Sequence, residues 1–213
     1  MIPQGVLDII SKVDIFIVEE LRTARRYLSR AGRKGEIDNL TFYLLNEHTK
    51  EDEIIEYIKI IQKGSDVALI SEAGLPAVAD PGAKLVELAH NYDICVNPLV
   101  GPSSLMLALM ASGKNGQNFS FIGYLPIKSS ERRAKIKELE ILSNTKGVSN
   151  IIIETPYRNI ALLNDIISAC AGSTKLTIAC DLTSSDSLIK TKSLSFWKSN
   201  MPDINKKPAV FIL

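Results

Sequence analysis

The chain has 213 residues, 46% of them hydrophobic and 23% charged, with a formal charge of +1. That length supports one large domain or two small ones whose cores need no disulfide or metal staple. The near-neutral balance excludes a global field for a polyanion or a membrane surface, so any such partner must meet a local patch.

The helix-like GVLDIISKV opens the chain, and from there short β-branched runs alternate with stretches of helical spacing. The runs DIFIV (14–18), LTFYLL (40–45), DVALI (66–70) and DICVNPLV (93–100) read as strands. Residues 22–30, 51–62, 83–90 and 103–111 read as helices between and after them. Near-continuous apolar strands separated by helices imply a mostly parallel sheet covered on both faces, an α/β architecture. The helix SSLMLALMA is apolar all round, which predicts burial on every side. SGKNGQN, rich in glycine and asparagine, is the natural linker. Beyond it the alternation resumes with FSFIGYL, the charged helix SERRAKIKELEIL, SNIIIET, RNIALLNDIISAC and KLTIACDL, and KSLSFW and PAVFIL read as further strands. Two α/β domains result, 1–112 and 118–213, joined by 113–117.

Cys95, Cys170 and Cys180 are widely spaced among apolar residues, and His48 and His90 stand far apart. No metal site is expected, and the thiols read as buried and inert, as suits a reducing compartment. The amino terminus has no basic stretch followed by an apolar core, and no apolar run nears the roughly 18 residues of a membrane span. The chain reads as cytoplasmic with no membrane partner.

Chemistry concentrates in the loop SEAGLPAVADPG (71–82), which leaves the carboxyl end of the VALI strand, where α/β sheets hold ligands. Gly74 allows a positive φ or close approach, Pro76 and Pro81 stiffen the loop, and Asp80 is placed to cap the following helix. GPSS (101–104) follows the next expected strand and sets Ser103 and Ser104 at a helix amino terminus. Adjacent strands would make these two loops opposite walls of one cleft. Walker A, GxGxxG and GxSxG motifs are all missing. On the helix after Pro126, Lys128, Arg132, Arg133, Lys135 and Lys137 outnumber Glu131 and Glu138, either a phosphate-facing patch or a solvated face. Glu20, Arg22, Arg25 and Arg26 follow the first strand, either at the same sheet edge or as a surface ion-pair cluster. Tyr157 of ETPYRN either stacks on a base or closes the core.

Taken in order, ISEAGLPAVADPG, VGPSSLMLALMASG, FIGYLPIK with its RR-bearing helix, IIIETPYR and the terminal apolar strand resemble the tetrapyrrole-methylase superfamily. Within it they are most similar to the ribosomal RNA small subunit methyltransferase I family, from about residue 14 to the end. The resemblance implies a two-domain, usually homodimeric, class III methyltransferase that binds S-adenosylmethionine in the interdomain cleft. It implies methylation of the ribose 2′-oxygen of a cytidine in small-subunit ribosomal RNA, on the RNA or the small subunit. Carried over by motif, Ser71, Glu72, Ala73, Gly74 and Pro76 line the methionine end of the cofactor and Ser103 and Ser104 face it. Thr155 and Pro208 lie nearer its adenosine. Lys128, if desolvated enough to be neutral, and Glu72 are the candidate bases for the ribose hydroxyl, whereas Asp80 reads as structural. Glu20, Arg22, Arg132, Arg133 and Lys135 are the residues expected to meet RNA.

The sequence also departs from that pattern. The family's amino-terminal strand with its Pro/Gly loop has no evident counterpart ahead of GVLDIISKV. Either the start is truncated or another segment takes its place, and losing the strand would open a neighbouring strand edge and one pocket wall. Glu72 stands where Asp is usual, Leu75 replaces Thr, and DLTSSDSL (181–188) lacks the family's Lys and later Glu. Two further readings stay open: a methylase of a small tetrapyrrole, and a non-catalytic RNA- or ribosome-binding relative.

Overall fold

The computed structural model describes residues 2–213 and divides into two α/β units, one ending at Ser103 and the other running from Ser104 to Leu213. In the first unit, β1 (Ile15–Val18) lies between β2 (Thr41–Leu44) and β3 (Val67–Ile70), all parallel. Alternation along β1 assigns its faces. Phe16 and Val18 join Ala24 and Leu28 of α2 (Leu21–Leu28) and Ile10 of α1 (Gln4–Ile10). Ile17 turns to the other face, against Ile54, Tyr57 and Ile58 of α3 (Glu51–Gln62) and Leu85 and Ala89 of α4 (Ala83–Asn91). The helical partners recur at three- and four-residue intervals, as one buried stripe requires. Burying a side chain such as Phe16 or Ile17 contributes about 1.5–3 kcal/mol.

The expected strand over 93–100 does not form: after α4 the chain runs to Ser103 without regular secondary structure and without joining the sheet. Ile94 and Val96 still rest on the α3–α4 cluster. Asp93 sits at φ 54 and Pro98 has no N–H to offer a ladder, so apolar burial is met without sheet pairing. In consequence β3 is a sheet edge, and the two candidate loops do not follow adjacent strands.

The second unit has a mixed sheet in the order β4-β5-β8-β6-β7. Its strands are β4 (Phe119–Gly123), β5 (Ser149–Ile153), β6 (Lys175–Cys180), β7 (Leu188–Ser193) and β8 (Ala209–Ile212). β4 and β5 are parallel, and the remaining pairs antiparallel. Ile152, Ile178 and Phe211 face α6 (Ser129–Lys146), α7 (Asn159–Ala169) and α8 (Leu194–Ser199). Ile151, Ala179, Val210 and Ile212 face α5 (Ser104–Ser112).

Three expectations change here. The apolar helix α5 belongs to this second sheet through Leu105, Ala108 and Leu109, so the division falls before it and not after residue 112. Covering one sheet face buries one side only, and Met110 is 80% exposed. The stretch 112–118 is a pinned turn within this unit: the Asn115 amide donates to the Gly147 carbonyl at 2.9 Å and Lys114 Nζ to the Lys175 carbonyl at 2.6 Å. Finally, KSLSFW is not a strand beyond Ser193. The Ser193 hydroxyl accepts from Phe196 N–H at 3.3 Å, capping α8 and turning Trp197 into the core, where its indole donates to the Leu176 carbonyl at 2.9 Å.

No helix among the described residues is long and apolar enough to cross a membrane, and no group of His, Cys, Asp or Glu among them is arranged to hold a metal. Cys95 is exposed, contrary to the expectation of three buried thiols; Cys180 is buried and Cys170 partly so.

Candidate functional site

The carboxyl edge of the first sheet gathers the residues singled out in the opening loops. Val18 and Ile70 are register partners on parallel strands, so the chain leaves both at one edge, as Glu19–Glu20 and as Ser71–Glu72. The link is direct: Glu72 N–H donates to the Glu19 carboxylate at 3.1 Å, and the Glu72 carboxylate accepts from Thr23 Oγ1 at 2.7 Å. Neither Glu19 nor Thr23 stood out in the sequence, because only the parallel register of β1 and β3 reveals them.

Glu20, expected to meet RNA, is the amino-terminal cap of α2. Its carboxylate accepts from Thr23 N–H at 2.7 Å and Thr23 Oγ1 at 2.9 Å, and the first of these bonds is the main reason its pKa is lowered. Arg22 beside it is exposed. Asp80 is not the cap residue of α4, a position that Gly82 occupies without a side-chain cap. Partial burial, reinforced by the charge of Glu19, instead raises the Asp80 pKa, and a hydrogen bond with Ser71 acts against that rise. The edge thus holds several carboxylates close together.

The loop between them is held in an unusual shape. Gly74 has φ +79 with nothing within 4 Å of where a Cβ would stand, so its backbone faces open space. Ala77 and Ala79 also occupy the left-handed region, at φ 62 and 65, and each costs on the order of 1–3 kcal/mol. Val78 N–H to the Leu75 carbonyl (3.2 Å) and Ala77 N–H to the Pro81 carbonyl (3.3 Å) hold the coil. Gly101 touches the same loop, since a Cβ there would fall 2.9 Å from Leu75 Cδ2. Gly101 therefore does approach Leu75, although no strand pairing brings it there. Ser71 is partly buried, Ala73 is exposed and Pro76 partly buried. Ser103 closes the first unit and Ser104 opens α5 of the second. A groove of about 450 Å³ lies on the α4 side of the loop, lined by Asn46, Glu51, Asp80, Pro81 and Lys84 among others.

In the second unit, Thr155 and Pro208 do come together. β5 and β8 are antiparallel with Ile153 opposite Val210, so the residues after β5 and before β8 share one end of the sheet. The Pro156 carbonyl accepts from Lys206 N–H there at 3.0 Å. Beneath lies a buried Glu154 whose two oxygens accept from Arg158 at 2.6 and 2.7 Å.

The basic face of α6 is not a free patch. Arg132 is buried, donating through Nε to Asp165 at 2.7 Å and through Nη1 to the Ile127 carbonyl at 2.9 Å. Arg133 lies 3.8 Å from the same carboxylate. Lys135 pairs with Glu138 at 2.9 Å and Lys137 with Glu140 at 2.7 Å. Helical spacing of three residues gives both lysines a partner, which the charge count alone concealed. Asp165, an unremarkable residue of α7 in the sequence, is what turns Arg132 inward. Lys128 does not meet the condition set for a neutral base: its side chain is 78% exposed and its ammonium sits 3.3 Å from Glu131.

No protein-family model matches the chain. Among curated proteins, the ribosomal RNA small subunit methyltransferase I of Vibrio cholerae is 33% identical over 182 residues, 85% of this chain and 60% of that protein. The chain thus spans about three fifths of that relative's length. The same-named protein of Pasteurella multocida is 30% identical over 215 residues, covering all of this chain and 73% of the relative. Among solved structures, the methyltransferase CobJ superposes over 99% of this chain and 86% of its own, with a TM-score of 0.63 at 15% identity. That likeness supports the two-unit fold, and the identity to the Pasteurella relative supports more: the chain belongs to the ribosomal RNA small subunit methyltransferase I family.

Proposed function

We propose that the chain is an S-adenosylmethionine-dependent methyltransferase that modifies small-subunit ribosomal RNA, with the 2′-oxygen of a cytidine ribose as acceptor. The observation that carries the reading is the Ser71–Gly82 loop of a member of this family, coiled at the carboxyl edge of a parallel sheet with Gly74 facing open space. The residues fit such a cofactor. Gly74 leaves room for close approach of the ligand, and the carboxylates of Glu19 and Glu72 supply negative charge for a ligand bearing a sulfonium and an ammonium. S-adenosylmethionine supplies an activated methyl group, so the protein's part is alignment and proton removal.

Ser71, Glu72, Ala73, Gly74 and Pro76 hold the methionine end of the cofactor, and Ser103 faces it. Glu72, already accepting a hydroxyl hydrogen bond from Thr23, is the better placed candidate to take the ribose proton, since Lys128 is solvated and ion-paired. The working form is a cytoplasmic homodimer, acting on the RNA or on the small subunit. β3, left as a sheet edge, favours one second reading, a non-catalytic RNA-binding relative.

Calorimetry with S-adenosylmethionine on the chain and on Gly74→Val tests the choice. A valine side chain at φ +79 enters the space that the loop leaves open and strains the backbone as well, so a thermal melt accompanies each titration. Saturable binding lost in a folded variant supports the methyltransferase. A folded parent chain that binds no cofactor favours the second reading. Sedimentation of the same samples reports the oligomeric state.

A further inference from the structure

Tyr157 is 76% exposed, which removes the core-closing alternative for this ring. It sits on the single helical turn Pro156–Arg158, and that turn is braced from two sides. From below, the Glu154–Arg158 pair fixes its start and end. From the side, the buried Asn159 amide donates to the carbonyls of Ile204 (3.0 Å) and Lys207 (2.7 Å), locking the 204–207 turn against it. Lys206 N–H completes the junction at the Pro156 carbonyl. This places Lys206 Nζ 5.9 Å from the centre of the Tyr157 ring. Lys207 is engaged by Asp203 at 2.9 Å, whereas Lys206 forms no ion pair among the described residues.

A ring that stays 76% exposed on a rigid turn, with an unneutralised ammonium over one of its faces, offers single-stranded nucleic acid a phosphate contact there and a stacking surface on the rest of the ring. Bracing matters because a turn whose backbone is already fixed adds no loop-ordering cost on binding. A nucleobase could also come from the adenine of the cofactor. The charge favours RNA, since S-adenosylmethionine carries a sulfonium and an ammonium against a single carboxylate and has no charge on its adenosine end, whereas a phosphodiester beside the stacked base gives Lys206 a negative partner.

We infer that Tyr157 and Lys206 form a base-stacking and phosphate-contacting platform for a single-stranded segment of the RNA substrate. The inference rests on the methyltransferase reading for its choice of RNA, and its test keeps the two apart. Fluorescence anisotropy of a fluorescein-labelled, mixed-sequence single-stranded RNA 12-mer is titrated with the parent chain, Tyr157→Phe, Tyr157→Leu, Tyr157→Ala and Lys206→Gln. Calorimetry with S-adenosylmethionine runs in parallel, and a thermal melt checks each variant's fold.

Phe is expected to bind RNA within about twofold of the parent. Leu and Ala lose roughly tenfold or more, as one stacked base requires. Lys206→Gln lowers the log–log salt slope by about 0.7. Cofactor affinity stays unchanged in all of them. Three results overturn the inference: Leu or Ala binding RNA like the parent, cofactor affinity falling along with RNA affinity, or no RNA binding by the parent chain. In the first case, intact cofactor binding leaves the methyltransferase reading standing. A parent chain that binds RNA through Tyr157 but no cofactor removes that reading and keeps the platform.

Discussion

Replacing Arg132 with alanine separates a structural role from an RNA-binding one. The guanidinium, 7% exposed, reaches Asp165 through Nε at 2.7 Å and Nη2 at 2.5 Å, and the carboxylate is itself 12% exposed. Removing one partner of a buried pair leaves an uncompensated charge, for which about 3–5 kcal/mol is typical. Here Ser129 Oγ still donates to Asp165 at 2.8 Å and Arg133 stands 3.8 Å away, so the low end, about 3 kcal/mol, is expected. The lost bonds to the Pro126 and Ile127 carbonyls add little, since Ile127 is 77% exposed and water can replace a donor there.

Trp197 is the sole tryptophan and lies buried in the second unit, so its fluorescence in urea reports that unit. With a slope of roughly 1.5 kcal/mol per molar, the midpoint falls by about 2 M. Arg132→Met with Asp165→Leu together is expected to recover most of that loss, because an apolar pair of similar volume needs no charge compensation. A midpoint unmoved in Arg132→Ala, with RNA affinity reduced about tenfold, refutes this account and restores the RNA-facing arginine.

Two further tests use groups outside the site. Glu140 is buried, which raises its pKa, but bonds from Lys137 (2.7 Å), Thr174 Oγ1 (2.5 Å) and Ala171 N–H (2.7 Å) outweigh that and leave it lowered. A lowered folded-state value means its stabilisation is full above the ordinary carboxylate value of 4.5 and is lost as pH falls through the depressed one. Glu140→Gln should therefore be less stable near neutrality and show a flatter acid limb in thermal melts below about pH 4.5. A parallel offset at every pH counts against the assignment. Among the cysteines, Cys95 is exposed, while burial pushes the Cys170 thiol up to about 12 and raises that of Cys180 too. Iodoacetamide at pH 8 should label Cys95 alone in the folded chain and all three in urea, read by mass spectrometry.

Much of the fold follows from local periodicity. Residues 51–62 form a helix because Ile54, Tyr57 and Ile58 fall on one stripe, and IFIV forms a strand because its residues alternate between two clusters. The loop SEAGLPAVADPG was legible as a site candidate because glycine and proline after an apolar run have few other uses. DICVNPLV has the composition of a strand, yet whether it is one depends on a neighbour with free N–H and C=O groups, and that is a property of the assembled sheet. The helix SLMLALMAS likewise carries no signal in itself of which sheet it covers; Ile151, Val210 and Ile212, far along the chain, decide that.

The candidate site divides in the same way. Sequence alone determined which residue types stand in which order, and hence the family, the candidate cofactor loop and the α/β class. Tertiary structure decided which charges are available. Arg132 is withdrawn by Asp165, Glu20 is spent on a helix cap, Lys128 stays in water beside Glu131, and Lys206 is brought to the Tyr157 ring. The physical reason is range. Turn and helix preferences act over a few residues and are written locally, whereas an ion pair acts between side chains that only the packed fold brings within about 4 Å.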